Sequence, residues 1–90
     1  VVFDGVIFHF SSREVSSIEL RKTANQYDGD AAQIIKEAYN SVESSLRRDY
    51  SSCQETDEGV VFFNEYEKIT IHQEEDFSGQ CELNVKIEKK

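Results

Sequence analysis

The chain has 90 residues, 18 of them acidic and 10 basic, for a net charge of −8 and a pI near 4.6. That length fits one small domain. The acidic excess argues against a nucleic-acid binder that works by neutralising phosphates and against a polybasic membrane anchor. No apolar run approaches the roughly 20 residues of a membrane span, yet six Phe and four Tyr supply enough apolar surface for a core.

In chain order, Val6–Phe10 reads as a strand. Asp4-Gly5 fits a two-residue type I′ turn, which would make Val1–Phe3 a short hairpin partner. Ser11–Tyr27 supports two readings. Ser11-x-x-Glu14 is a capping box and favours a helix. Against a helix, Val15 and Ile18 fall on one side of a helical wheel, and Leu20, Ala24 and Tyr27 on the other. A strand over Ser17–Thr23 is the alternative, with a loop around Ser12–Ser16 that sets Phe10 opposite Ile18 and Phe8 opposite Leu20.

Asp30–Arg48 is an amphipathic helix. Ala31, Ile34, Ile35, Ala38, Tyr39, Val42 and Leu46 follow i, i+3, i+4, i+7 spacing and form one apolar stripe. Gly29 supplies a turn, Asp30 caps the first turn, and Gln33 stands where a box partner belongs. Asp28 and Asp30 suit the positive end of the helix dipole, and Arg47 and Arg48 the negative end.

Ser51–Glu58 reads as a polar loop. Val60–Phe63 is a strand buried on both faces, and Asn64–Glu67 connects it to Lys68–Gln73. There Ile69 and Ile71 point inward and Thr70 and His72 outward. Asp76–Gly79 is a turn cluster. Gln80–Glu88 alternates cleanly, with Cys81, Leu83, Val85 and Ile87 on one face and Gln80, Glu82, Asn84, Lys86 and Glu88 on the other. No repeat or composition break divides the chain. The expectation is a single α+β domain: an antiparallel sheet of about four or five strands with one long amphipathic helix packed on one face. A second, N-terminal helix joins it if Ser11–Tyr27 takes its helical form.

Chemistry-bearing residues are few. His9, His72, Cys53 and Cys81 show no metal-ligand spacing, so no metal and no cofactor is expected. Two cysteines are too few for a disulfide scaffold. No leader with a charged n-region and apolar h-region is visible, so both thiols are expected to be unbridged in a cytoplasmic protein. Asp28/Asp30 and Glu74/Glu75/Asp76 are dense enough for acid–base work, but nothing shows the desolvated cleft that such work needs. The expectation is a protein that is not an enzyme. Phe62, Phe63 and Tyr66 could form a base-stacking platform, but their acidic neighbours repel phosphate, so a core role is expected.

Charge distribution carries the functional expectation. Residues 55–76 hold eight acids against Lys68 alone, and so contain nearly all of the net charge. If Asn64–Glu67 is a hairpin turn, Glu55–Glu58 and Glu74–Asp76 meet at the opposite end of the sheet. Glu55, Asp57, Glu58, Glu74, Glu75 and Asp76 would then form one negative surface for a basic protein partner, as in an inhibitor, immunity or adaptor factor. A plain solvated face is the bland alternative. The runner-up function is a self-associating module, a homodimer formed by pairing Val60–Phe63 or Gln80–Glu88 as exposed strand edges. Neither nucleic acid nor membrane is an expected partner.

Overall fold

The computed structural model describes residues 3–25, 29–57, 59–76 and 78–89. Six strands and one helix follow in the order β1 Gly5–Ser11, β2 Glu14–Ala24, α1 Ala31–Asp49, β3 Ser52–Thr56, β4 Gly59–Phe63, β5 Glu67–Glu75 and β6 Cys81–Lys89. All pairings are antiparallel in one sheet of order β1-β2-β6-β5-β4-β3. The first hairpin leads into α1, which crosses the sheet. A meander from the far edge then returns β6 to the side of β2. The fold is α+β, as the residue pattern implies, with more strands than the expected four or five and a single helix.

The extra strands lie where the local pattern is ambiguous or silent. Ser11 and Glu14 pair as the last residues of a two-residue hairpin, with Ser12 at φ 51° and Arg13 at φ 70°. Residues that fit a helix capping box thus serve a tight turn, and residues 14–24 form a strand. The register is Phe8 with Ile18 and Val6 with Leu20, with an irregularity between His9 and Phe10. It differs from the expected register because the turn is shorter than the expected loop. β3 is the second addition, an edge strand of sequence SCQET that holds by backbone pairing to β4 and has no apolar alternation to announce it. Asp4-Gly5 is not a hairpin turn. Gly5 opens β1, and the Asp4 carboxylate accepts from the Thr23 amide at 2.7 Å. Val1 and Val2 lie outside the described residues. So do Tyr27 and Asp28, so the proposed role of Asp28 at the helix start goes without a placement.

The helix forms where its periodicity places it. Asp30 accepts from the Gln33 amide at 3.2 Å, and the Tyr50 amide closes the far end on the Leu46 carbonyl. Gln33 does not complete the capping box. Its side chain donates to Glu37 one turn on, at 3.1 Å. The apolar stripe of α1 lies over β2, β5 and β6. Ile35, Phe62, Ile71 and Leu83 are the fully buried large side chains, and Tyr39, Val42, Leu46, Leu20 and Ile87 pack around them. Ala31 and Ala38 are also buried, and their small side chains let the helix approach the sheet closely. Val60, Val61 and Phe62 are buried as expected, while Phe63 at the end of β4 is only half-buried. Tyr66 is not a core residue: it is 76% exposed at the β4–β5 turn.

Two further constraints fix the sheet. Gly59 opens β4 at φ 132°, and a Cβ there would collide with the Ile71 carbonyl oxygen, so no other residue fits. At the helix exit, the Tyr50 hydroxyl donates to the Glu67 carboxylate, tying α1 to the start of β5. That hydrogen bond to Glu67, aided by burial, pushes the Tyr50 phenol up to about 12.

Removing side chains under the helix should be unequal in effect. Ile35→Ala should destabilise by about 2–5 kcal/mol, whereas Leu46→Ala, at the half-buried end of the stripe, should lose less. Thermal melts of both variants check this. The raised Tyr50 pKa means that its contribution is complete below the unfolded tyrosine value near 10 and is lost as pH rises towards about 12. Denaturant titrations across that window should show wild-type stability falling more steeply than that of Tyr50→Phe.

Candidate partner-binding surface

Three chain features meet at one end of the sheet: the N-terminus of α1, the β3–β4 turn and the β5–β6 turn. The β5–β6 turn is built by Asp76. Its carboxylate accepts from the Ser78 hydroxyl at 2.6 Å, the Gln80 amide at 3.0 Å and the Ser78 amide at 2.9 Å, while Gly79 adopts φ 83°. These bonds, that from the Ser78 hydroxyl foremost, hold the Asp76 carboxyl below its usual range. The β3–β4 turn is braced by the Thr56 hydroxyl donating to the Gly59 carbonyl at 2.9 Å.

The acidic residues named from the sequence gather at this end but divide between its faces. Glu74 stands opposite Glu82 and Glu75 opposite Cys81, so strand alternation turns Glu75 to the helix side and Glu74 to the outer side. Glu55 pairs with Val60 and so also lies on the helix side. There it adds to burial and to Glu43 in raising the Tyr39 pKa. Asp57 and Glu74 line a shallow outer hollow of about 360 Å³, together with His72 and Lys86. Asp76 is engaged in its turn, and Glu58 lies outside the described residues. Glu65 and Glu67 sit at the opposite end, as the hairpin requires, where the Asn64 side chain accepts from the Tyr66 and Glu67 amides.

Glu82 belongs to this surface and was not singled out from the sequence, where it is one polar residue of an alternating strand. Only cross-strand register places it against Glu74. Arg21 reaches Glu82 at 3.5 Å and Glu19 at 3.6 Å, so that cation is shared between two carboxylates. His72 stands 3.6 Å from Glu74. Glu74, Glu75, Asp76 and Glu82 together line a hollow of about 220 Å³. A wider groove of about 440 Å³ runs from Glu75 along α1 past Lys36 and Tyr39.

This arrangement presents negative potential at one end of the sheet. The Asp76 carboxyl moves down, the reverse of what a general acid needs. Among the described residues no three His, Cys, Asp or Glu side chains group to hold a metal ion. Cys53 is exposed on β3 and Cys81 is buried on β6, with two strands between them. At about 4.8 Å per strand spacing they stand at least about 14 Å apart across the sheet, and register offsets them further along the strands, out of reach of a disulfide. Burial pushes the Cys81 thiol up, with Glu75, Asp30 and Asp76 adding to the shift.

The lowered Asp76 pKa fixes a sign. Its contribution is present above the unfolded value near 3.8 and is lost as pH falls through the lower folded value. Asp76→Ala should therefore melt below wild type at neutral pH, with the gap closing in acid, as thermal melts at about pH 7 and pH 2 would show.

Compared with known proteins, the chain matches no family model, no curated protein and no solved structure.

Proposed function

We propose that this domain is a non-enzymatic binding protein that uses the acidic end of its sheet to engage a basic surface of another protein. The observation that supports this most is Glu74 set directly opposite Glu82, with Glu75 and Asp76 adjoining. Like charges facing each other across a ladder are destabilising. A sheet that needed only solubility could set a lysine at either position. An arriving lysine or arginine side chain relieves this repulsion, so part of the binding energy is stored in the unbound fold. The partner class is a basic protein surface, as an inhibitor, immunity or adaptor factor would meet. Nucleic acid is excluded from the reading because the same field repels phosphate. No helix of the described residues is long and apolar enough to cross a membrane. A cytoplasmic setting is part of the proposal, supported by two unbridged thiols of which one is exposed.

The division of the acids between two faces refines the surface. Glu74, Glu82 and Asp57 address a partner on the outer face, and Glu75 addresses the groove beside α1. Self-association through Val60–Phe63 or Gln80–Glu88 does not stand: both segments are internal strands with a neighbour on each side. The sheet's edges are β1 and β3.

Association should be electrostatically steered, with an on-rate that falls steeply as salt rises. Asp57→Lys, Glu74→Lys and Glu75→Lys combined should lower the on-rate at least tenfold at low salt. Folding should be nearly unchanged, since these carboxylates are solvated and exposed charges contribute little. Asp76 is left intact because it builds a turn. Capture from host lysate at low salt, followed by association kinetics of the recovered protein at about 0.05 M and 0.5 M salt, provides the check. Recovery of no basic protein, or equal binding by the triple variant, would reduce the surface to a solvated face.

A further inference from the structure

The described residues leave one large apolar feature without a role. β1 carries Val6, Phe8 and Phe10 on the helix side of the sheet, and they are 51%, 53% and 66% exposed. Their register partners Leu20 and Ile18 continue into Val85 and Ile87, so the row is the core face of the sheet extended past its cover. The helix packs mainly over β2, β5 and β6, and these β1 side chains are left largely uncovered. On that face these three side chains expose on the order of 300 Å² of apolar surface, within the range of patches that mark interaction sites, and Ile7 adds to it on the outer face.

We propose that β1 is the seam of a homodimer, in which two copies pair antiparallel edge to edge across a two-fold axis at Phe8 and join two six-stranded sheets into one.

The occupant follows from the strand itself. The sequence GVIFHFS holds no acidic residue, lysine, arginine or proline, so it lacks the devices that blunt a free edge. The other edge, β3, is shorter and polar and carries Glu55. The pattern of β1 is self-complementary about Phe8. A two-fold axis there sets Phe8 against the partner's Phe8 and Val6 against the partner's Phe10 on the helix side, and Ile7 against the partner's His9 on the outer side. Aromatic–aromatic and aromatic–β-branched pairs are favourable opposites in an antiparallel ladder.

Charge permits the same contact. Residues 3–25 hold Asp4, Glu14 and Glu19 against Arg13, Arg21 and Lys22, so this hairpin is neutral within a chain of net charge −8. Glu19, the acid facing β1 on the outer side, lies 3.6 Å from both His9 and Arg21. Two copies therefore meet through a flank of no net charge. The apolar area offered is under half of the roughly 800 Å² per partner of a standard interface, so the dimer should be a weak one, with a dissociation constant in the micromolar range.

Sedimentation equilibrium of the full chain from about 1 to several hundred micromolar is the test. The mass should rise from 10.4 kDa towards twice that value, and raising salt should not reverse it. Phe8→Lys should weaken dimerisation at least tenfold while far-UV circular dichroism stays unchanged, because Phe8 lies outside the packed core. Register is tested with Cys53→Ser as background. Phe8→Cys should cross-link to its own copy under mild oxidation. Phe10→Cys should not, because the two-fold axis sets the two position-10 residues about 13 Å apart along the strands. A monomer at the highest concentration, assemblies that grow beyond two copies, or an undiminished dimer in Phe8→Lys would each overturn the proposal. The Asp57, Glu74 and Glu75 variants should dimerise like the parent, so the acidic surface and the seam stand or fall separately.

Discussion

One helix closes one face of six strands. An α-helix with its side chains is about 10 Å across, and strands lie about 4.8 Å apart, so α1 spans two or three strands at most. It lies over β2, β6 and β5, the middle of the sheet, and the buried side chains Ile35, Ile71, Leu83 and Val85 sit there. Next to that strip β4 still buries Val60, Val61 and Phe62, but the two edge strands, β1 and β3, are left largely without cover. On one flank β3 resolves the problem by being polar throughout. On the other, β1 keeps apolar residues that nothing described covers. The unequal chemistry of the two edges is therefore a consequence of the width of a single helix.

The same crossover sets where charge accumulates. α1 leaves the end of β2, runs the length of the sheet and delivers the chain to the far edge, so the meander from β3 to β6 turns alternately at opposite ends. Turns β3–β4 and β5–β6 share one end with the helix N-terminus, and the β4–β5 turn takes the other. Carboxylates near the positive end of the helix dipole are favoured, which offsets part of their mutual repulsion. At the opposite end the Tyr50–Glu67 hydrogen bond uses a carboxylate to fasten the helix exit to the sheet. Two acidic groups close in sequence, at 65–67 and 74–76, thus serve different purposes because an odd or even number of turns separates them from the helix start.

Much of this was legible in the residues. The periods of α1, β5 and β6 are strong because each element has one buried face and one wet face, so hydrophobic alternation reports directly on packing. The meander followed from short connections, and with it the meeting of the acidic turns. What the residues hid has physical causes. β3 buries no side chain of its own, so its only signal is a backbone ladder that sequence does not display. Ser11–Glu14 satisfies a capping box and a hairpin equally, and the turn is made by Ser12 and Arg13 at positive φ without the Gly or Asn that normally announces it. Tyr66 has the composition of a core residue but occupies a turn tip, where the Asn64 side chain dictates the conformation. Glu82 is invisible as a member of the acidic surface until register brings it against Glu74.

The bare edge and the high net charge bear on each other. A long uncharged apolar edge invites indefinite strand addition, and a charge of −8 opposes association in general. Screening limits that protection to roughly 8–10 Å at physiological salt. The acidic residues of β5 lie three strand spacings from β1, on the order of 14 Å, so their field is already weak at the seam. It is strong at the opposite edge, where β3 carries Glu55 and leads into Asp57. Two copies joined at β1 would present only their β3 edges to further copies, polar and beside the concentrated charge. The distribution of acids along the chain thus opposes the second strand addition and leaves the first one open, which is the condition for an assembly that closes at two copies.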